Sequence, residues 1–512
     1  MGEITSGPRR LATAELQQRA ARAATGLASI GIGEGDIIAL FLRNDLAFFE
    51  AGTAAGLLAA YPTPVNWHGT AEEARYIFEN SGAKAVVIHA DFLPHIRPVI
   101  PQGVTILVVP TPPEIAEAYG VSPEACTPPP GLPVWGTWLE GFEPWTGAPR
   151  TNPGTVIYTS GTTGHPKGVR RAQPTPEQYD FSIKSLLTIF GFSTRPFDKI
   201  VSVMTGPMYH SAPNAYGMLA SRIGANLILE PRFDPEDLLR LIEKHRISHI
   251  HMVPIMFNRL LKLPDDVKRK YDLSSLEMVV HAAAPCPVTV KRAMIEWWGP
   301  VIYEYYGATE TGGVVFCDSH EWLAHPGTVG KPMPGADVRV IDAEGRSVPT
   351  GETGEVVARF LGVADFTYHR DHDKRVASEK VGLIAPGDIG YFDADGYLYL
   401  CDRAKDMIIS GGANIYPAEI EAVLCRMPGV ADCAVFGVPD EEYGEAVYAA
   451  VQPQPGVSLK EADVKTYLRG HLSGFKVPKT VAFQNDLPRE DSGKIFKRKL
   501  REPFWANRST RI

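Results

Sequence analysis

The sequence predicts an α/β protein: a large first domain of two helix-covered, mostly parallel sheets plus a small β subdomain, followed by a small α+β second domain. Three observations lead there. From residue 12 to about residue 335, stretches with helical spacing alternate with short apolar runs, as in parallel sheets covered by helices. Residues 338–400 instead hold short alternating strands divided by turns at 342–345 and 393–396. Beyond Arg403 the pattern changes again, to a compact mixture of helix and strand.

Leu16, Ala20, Ala23 and Leu27 are spaced as one face of a helix over residues 12–30. The glycine cluster at 31–35 follows that helix and precedes the apolar run 37–42, the reverse of the order a pyrophosphate-binding turn needs, so it reads as a simple turn. Residues 71–81 are expected to be helical, and 85–89 and 105–109 to be strands. Residues 110–153, with three consecutive prolines at 128–130 and with Trp135, Trp138 and Trp145, read as an irregular surface segment tied down by its tryptophans. Alternation resumes from 155 to about 335. The last region reads as helix 417–426, strands 431–436 and 446–452, and helix 459–472. The expected limits are therefore 1–404 for the first domain, with subdomains at roughly 1–154, 155–335 and 336–404, and 405–512 for the second.

At 512 residues and roughly 150 residues per domain, several folding units are expected. A hydrophobic share of 44% and a charged share of 21% are those of an ordinary globular protein. A formal charge of −8 argues against nucleic acid or anionic membrane as a partner, so anionic ligands must be met by local arrangements. No stretch is long and apolar enough to cross a membrane. The six cysteines are scattered, without a metal-binding or disulfide pattern, and a reducing cytoplasmic location is expected.

The strongest local signal lies at 155–169, where an apolar strand runs into a loop of glycines and hydroxyls closed by Lys167. Glycines let the backbone approach a ligand closely. N–H groups, the hydroxyls of Thr159, Ser160, Thr162 and Thr163, and one ammonium together suit phosphate oxygens. A Ser/Thr/Gly-rich surface loop would explain the composition but not the strand that leads into it. There is no Walker ending, and Pro166 precedes the lysine.

The run Tyr158-Thr159-Ser160-Gly161-Thr162-Thr163-Gly164, followed by Pro166-Lys167-Gly168, resembles the signature of the acyl-adenylate-forming superfamily. That superfamily includes acyl-CoA synthetases, amino-acid adenylation domains and beetle luciferases. Further resemblances follow in the family's order: Pro207 to Pro213 beside the acyl pocket, Ala283-Ala284-Pro285 at adenine, and Tyr305-Tyr306-Gly307 leading to Thr309-Glu310. Gly387-Asp388 matches the ribose-binding turn, Asp402-Arg403 with Lys405 the hinge, and Ser492-Gly493-Lys494 the C-terminal lysine motif. Within the superfamily, His281 to Pro287 and Trp297 to Pro300 look most like fatty-acid or steroid-acid CoA ligases.

The resemblance implies an acid–thiol ligase that uses ATP, Mg²⁺ and coenzyme A. A carboxylate attacks the α-phosphate and pyrophosphate leaves; the acyl group then passes to the thiol. Because both reactants are anions, positioning and charge neutralisation carry the catalysis. Lys494 would bridge carboxylate and phosphate, Glu310 would hold Mg²⁺, Thr309 would donate to phosphate, and His210 would gate or line the acyl site. Tyr305 and Tyr306 would flank adenine, although a core tyrosine reads identically, and Asp388 and Arg403 would serve the ribose and the nucleotide charge. Lys405 would be the pivot about which the second domain turns between half-reactions, bringing Gly411 and Gly412 to the pantetheine arm and Lys476 to a coenzyme A phosphate. The basic residues after Lys494, namely Lys497, Arg498, Lys499 and Arg501, read as a solvated tail.

Met208, Tyr209, His210, Val253, Met256 and Gly307 are the expected acyl pocket, mostly apolar or aromatic, as a hydrophobic acid requires. Tyr209-His210 offers no carboxylate to an α-ammonium, which disfavours amino acids. A fatty, steroid-like or polycyclic terpenoid acid suits this pocket. Cys286 beside the adenine stretch is expected to pack, since the reaction needs no covalent enzyme intermediate. Two alternatives remain: a ligase that stops at acyl-AMP and hands it to a carrier protein or partner enzyme, and a non-catalytic binding relative. A homodimer is compatible with the sequence.

Overall fold

The computed structural model describes residues 2–159, 166–403, 406–411, 413–489 and 495–506, apart from the side chains of Arg403 and Asn414. The first sheet has four parallel strands in the order Tyr61–Pro64, Ile37–Phe41, Ala85–His89 and Thr105–Val109. Ile37–Phe41 and Ala85–His89 are buried at every position, which is why they read as continuous apolar runs and not as alternating ones. The second sheet has nine strands, and its middle is parallel from Ile302–Ala308 through Met278–His281, His249–Met252, Val201–Met204 and Asn226–Leu229. It ends in an antiparallel hairpin on each side.

One of these end hairpins overrides chain order. Glu3–Ser6 pairs in parallel with Asn226–Leu229, and Arg9–Ala12 folds back on it, so residues 3–12 complete the second sheet although the first sheet follows them directly. A second difference concerns residues 110–153. They include the helices Pro113–Tyr119 and Trp135–Glu140, so the segment is not wholly irregular. Its tryptophan anchor has a polar reason: Trp135 is 2% exposed and its indole N–H donates to Glu50 Oε2 at 2.6 Å. Glu50 sits inside the helix Leu46–Leu57, and burial raises its pKa against the pull of Arg19 and the indole.

Residues 336–403 contribute a six-stranded antiparallel sheet. A three-stranded sheet of Ile157–Thr159, Lys167–Arg171 and Phe366–Tyr368 ties this region to the strands on either side of residues 160–166. The last region is a five-stranded sheet with the helices Pro417–Leu424 and Glu461–Arg469, slightly shorter than their periodicity predicts. It meets the rest through Lys262, whose ammonium donates to the Ala431 carbonyl at 3.2 Å, and through Asp402, which accepts from the Ala418 N–H at 2.9 Å. No helix among the described residues is long and apolar enough to cross a membrane.

Glu230, 3% exposed at the end of Asn226–Leu229, has one oxygen on the Asp234 N–H and no partner for the other. Burial pushes its pKa up to about 8. A carboxyl raised on folding stabilises fully below its unfolded pKa, and that contribution is lost as pH rises towards its folded pKa. Glu230→Gln is therefore expected to raise the urea midpoint at pH 8 by an amount worth a few kcal/mol and to change little near pH 4. Equal midpoint shifts at both values would contradict this.

Candidate active site

A cavity of about 1520 Å³ runs through the first domain and reaches the second. Its polar end is built by the antiparallel pair Ile157–Thr159 and Lys167–Arg171, whose register sets Thr159 opposite Lys167. Both line the cavity; Ser160, Gly161, Thr162, Thr163 and Gly164 lie outside the described residues. The Lys167 ammonium stands 5.0 Å from the ring centre of Tyr368, and the Tyr368 hydroxyl donates to Glu310 Oε1 at 2.9 Å. Burial, and then the nearby Glu310 charge, raise the Tyr368 pKa, so its hydroxyl stays a donor. Arg171 props the turn from beneath, donating to the Thr309 and Glu310 carbonyls at 3.1 and 3.0 Å. Thr309 donates to Ser211 Oγ at 3.2 Å and, with Glu310, faces the cavity.

Gly307 lets this turn close. A Cβ there would stand 1.8 Å from the Gly312 carbonyl oxygen, so any side chain would pry apart the hairpin of Ile302–Ala308 and Gly312–Cys317. Ala282 and Ala283 line the cavity opposite, whereas Ala284 and Pro285 do not. Ala283 holds a left-handed backbone, φ 74°, unusual for a residue with a side chain. Backbone strain of that kind persists where the surroundings impose it, often at ligand clamps. Cys286 is a packing residue, its thiol pKa raised by burial.

The structure divides the two tyrosines that the motif places at adenine. Successive side chains on a strand point to opposite faces. Tyr306 donates to Asp388 Oδ2 at 2.8 Å, and Asp388 lies in register with Arg403. Tyr305 turns the other way: its hydroxyl lies 3.2 Å from His251 Nε2 and its ring meets Phe190 edge-on. Tyr305 is thus corrected from a nucleotide residue to a wall of the apolar arm. Burial pushes the His251 pKa down to about 4, so this imidazole is neutral.

That arm contains Tyr209, His210, Val253, Met256 and Gly307 as expected. Met208 is corrected: it is 1% exposed in the core, its N–H on Asn44 and its carbonyl on Asn214, and does not line the cavity. Sequence reasoning missed the main walls, which are Tyr179, Ile183, Leu186 and Ile189 on the helix Pro176–Ile189, and Ala215, Met218 and Leu219 on the helix Ser211–Arg222. Their helical spacing was a readable signal, but a stripe facing a cavity looks the same as one facing a core.

Lys494 and Lys405 lie outside the described residues, as do Gly412 and the side chain of Arg403. Arg489, Phe496 and Lys499 line the cavity, and Arg489 bridges to Ile495, so chain on both sides of Lys494 stands at this cleft. The solvated-tail reading is corrected for three residues: Lys499 lines the cavity, Lys497 pairs with Glu421 at 2.7 Å, and Arg501 with Asp406 at 3.3 Å. Gly411 and Lys476 stand apart from the cleft, with the Lys476 ammonium held by Glu419 at 2.7 Å.

A family model described as AMP-binding enzyme matches residues 3–365, and one described as AMP-binding enzyme C-terminal domain matches residues 419–494. A feruloyl-CoA synthase from Amycolatopsis sp is 33% identical over 503 residues, spanning 98% of this chain and 95% of that protein. A 3-[(3aS,4S,7aS)-7a-methyl-1,5-dioxo-octahydro-1H-inden-4-yl]propanoyl:CoA ligase from Mycobacterium tuberculosis is 33% identical over 509 residues, spanning 96% and 94%. Among solved structures, ATP-bound MatB from Rhodopseudomonas palustris superposes with a TM-score of 0.85 at 27% identity, covering 99% of this chain and 96% of that one. The apo form of MatB reaches 0.72 at 28% identity, covering 98% and 96%. With both regions matched and these relatives aligned along nearly its whole length, the chain belongs to the AMP-binding enzyme family, in its acyl-CoA ligase branch.

Proposed function

We propose that this acid–thiol ligase joins a hydrophobic carboxylic acid to AMP, releasing pyrophosphate, and then transfers the acyl group to the thiol of coenzyme A with release of AMP. The observation that carries this reading is the single cavity in which Lys167, Thr309 and Glu310 at a polar end meet an arm walled by Leu186, Ile189, Phe190, Val253 and Met256. A nucleoside triphosphate suits the first and a hydrocarbon body the second. Their junction at His210, Gly307 and Thr309 is where a carboxylate would meet the α-phosphate.

Glu310 and Thr309 fit Mg²⁺, an ion that takes one or two protein oxygens and fills its other positions from phosphate and water. When bound, the ion would supply positive charge against the phosphate oxygens. Tyr368 orients the Glu310 carboxylate, and Arg171 fixes the turn that presents it. Asp388 and Arg403 would hold the ribose side. Lys494 would neutralise the charge that builds up between carboxylate and phosphate.

The second domain, taken as 405–512, would turn about Lys405 between half-reactions. Greater similarity to the ATP-bound than to the apo form of MatB supports an adenylation arrangement here. After the turn, Gly411 and Gly412 would admit the pantetheine arm, and Lys476 would exchange Glu419 for a coenzyme A phosphate. The six free thiols fit a cytoplasmic setting.

A panel of acids assayed for ATP-dependent AMP release and for coenzyme A thioester tests the reading. Bulky hydrophobic acids are expected to exceed acetate by at least about tenfold in kcat/KM, since each extra buried methylene is worth about 1–3 kcal/mol. EDTA should stop pyrophosphate release and Mg²⁺ restore it. AMP release without acyl-CoA would favour delivery to a carrier protein, and winning short acids would overturn the pocket assignment.

A further inference from the structure

We propose that the apolar arm takes an acid whose hydrophobic body carries an oxygen function, a hydroxyl or ring ketone, seated on the His251–Tyr305 pair. This rests on the ligase reading above and names its substrate class.

The pair is out of place in a hydrocarbon-only pocket. His251 is 4% exposed, lines the cavity with Tyr305, and its ring packs edge-on against Phe190. Leu186, Ile189, Val253 and Met256 around it offer side chains that bind fat and nothing else. Buried polar groups without partners cost free energy, and two phenylalanines would wall the same space without that liability. The 3.2 Å contact between Nε2 and the hydroxyl satisfies part of the pair's capacity, not all of it. A tyrosine hydroxyl has one donor and two acceptor positions, and a neutral imidazole has one of each. With hydrogen on Nε2, the imidazole donates to the tyrosine oxygen and the hydroxyl is left to donate to a ketone. With hydrogen on Nδ1, the hydroxyl donates to Nε2 and its oxygen is left to accept from a substrate hydroxyl. Either tautomer leaves one directed hydrogen bond for a ligand oxygen inside an otherwise apolar arm.

The test is kcat/KM for two matched pairs of acids: 4-hydroxycinnamic against cinnamic acid, and a ring-keto steroid side-chain acid against its deoxy analogue. The wild type is expected to favour the oxygenated member of at least one pair by about tenfold or more. Tyr305→Phe, which removes the hydroxyl that meets the ligand oxygen, should bring that ratio close to one, and His251→Gln, which keeps a hydrogen-bonding amide beside that hydroxyl, should retain part of it. Ratios near one in the wild type for both pairs, or a preference untouched by Tyr305→Phe, overturn the proposal. A chain that activates plain fatty acids yet discriminates within neither pair defeats this inference alone. No AMP release with any acid defeats the ligase reading as well.

Discussion

Lys494→Ala is expected to slow adenylation by on the order of a hundredfold or more, about 3 kcal/mol, while sparing the second half-reaction. The carboxylate and the triphosphate repel each other, and the charge is most concentrated as the new bond forms. A cation placed there acts mainly on the transition state, so its loss falls on rate more than on binding. ATP–pyrophosphate exchange reads the first step; thioester formation from chemically prepared acyl-AMP and coenzyme A reads the second. Exchange that survives unchanged would remove Lys494 from its assigned role. An equal loss in both steps would mean that the lysine supports the fold or the nucleotide instead.

Lys291→Met is expected to destabilise the first domain by about 3–5 kcal/mol. The Lys291 side chain is 0% exposed and Glu304 7%, and they meet at 2.6 Å beneath the strand that carries Tyr305, Tyr306 and Gly307. His281 lies 3.5 Å from the same carboxylate, held well below its usual pKa first by burial and then by the Lys291 cation. Removing the ammonium leaves a buried carboxylate whose pKa burial already pushes up. The raised pKa means that the lost stability should return as pH falls below the ordinary carboxylate range. The paired variant Lys291→Met with Glu304→Leu should recover most of it, because an apolar pair carries no desolvation cost. Urea titrations of the three proteins at neutral and acid pH decide the matter. A single variant as stable as the parent would mean that water reaches Glu304.

The polar end of the site was readable because its chemistry restricts residue type. Thr159, Lys167, Thr309 and Glu310, singled out by residue type, line one cavity, and the turn that closes there needs Gly307. The apolar arm was not readable in the same way. Met208 and Met256 are both apolar neighbours of motif residues, yet one faces the core and the other the cavity. Only the packing of distant helices decides which. Tyr305 was read together with Tyr306 because a motif names positions and not faces, although the pleat of a strand separates them. The sheets followed from alternation, but the pairing of residues 4–6 with 227–229 did not, since hydrophobic pattern carries no register across so long a separation.

That pairing sets a timetable for synthesis. Glu3–Ser6 leaves the ribosome long before Asn226–Leu229 exists. At ordinary elongation rates the hairpin of residues 3–12 waits roughly ten to forty seconds for its neighbour. Meanwhile its open edge is a template for stray β-pairing. This edge of the second sheet therefore cannot close until Asn226–Leu229 is made, after every strand of the first sheet. Conditions that slow translation between these two segments should lengthen exposure of that edge and favour capture by holdase chaperones.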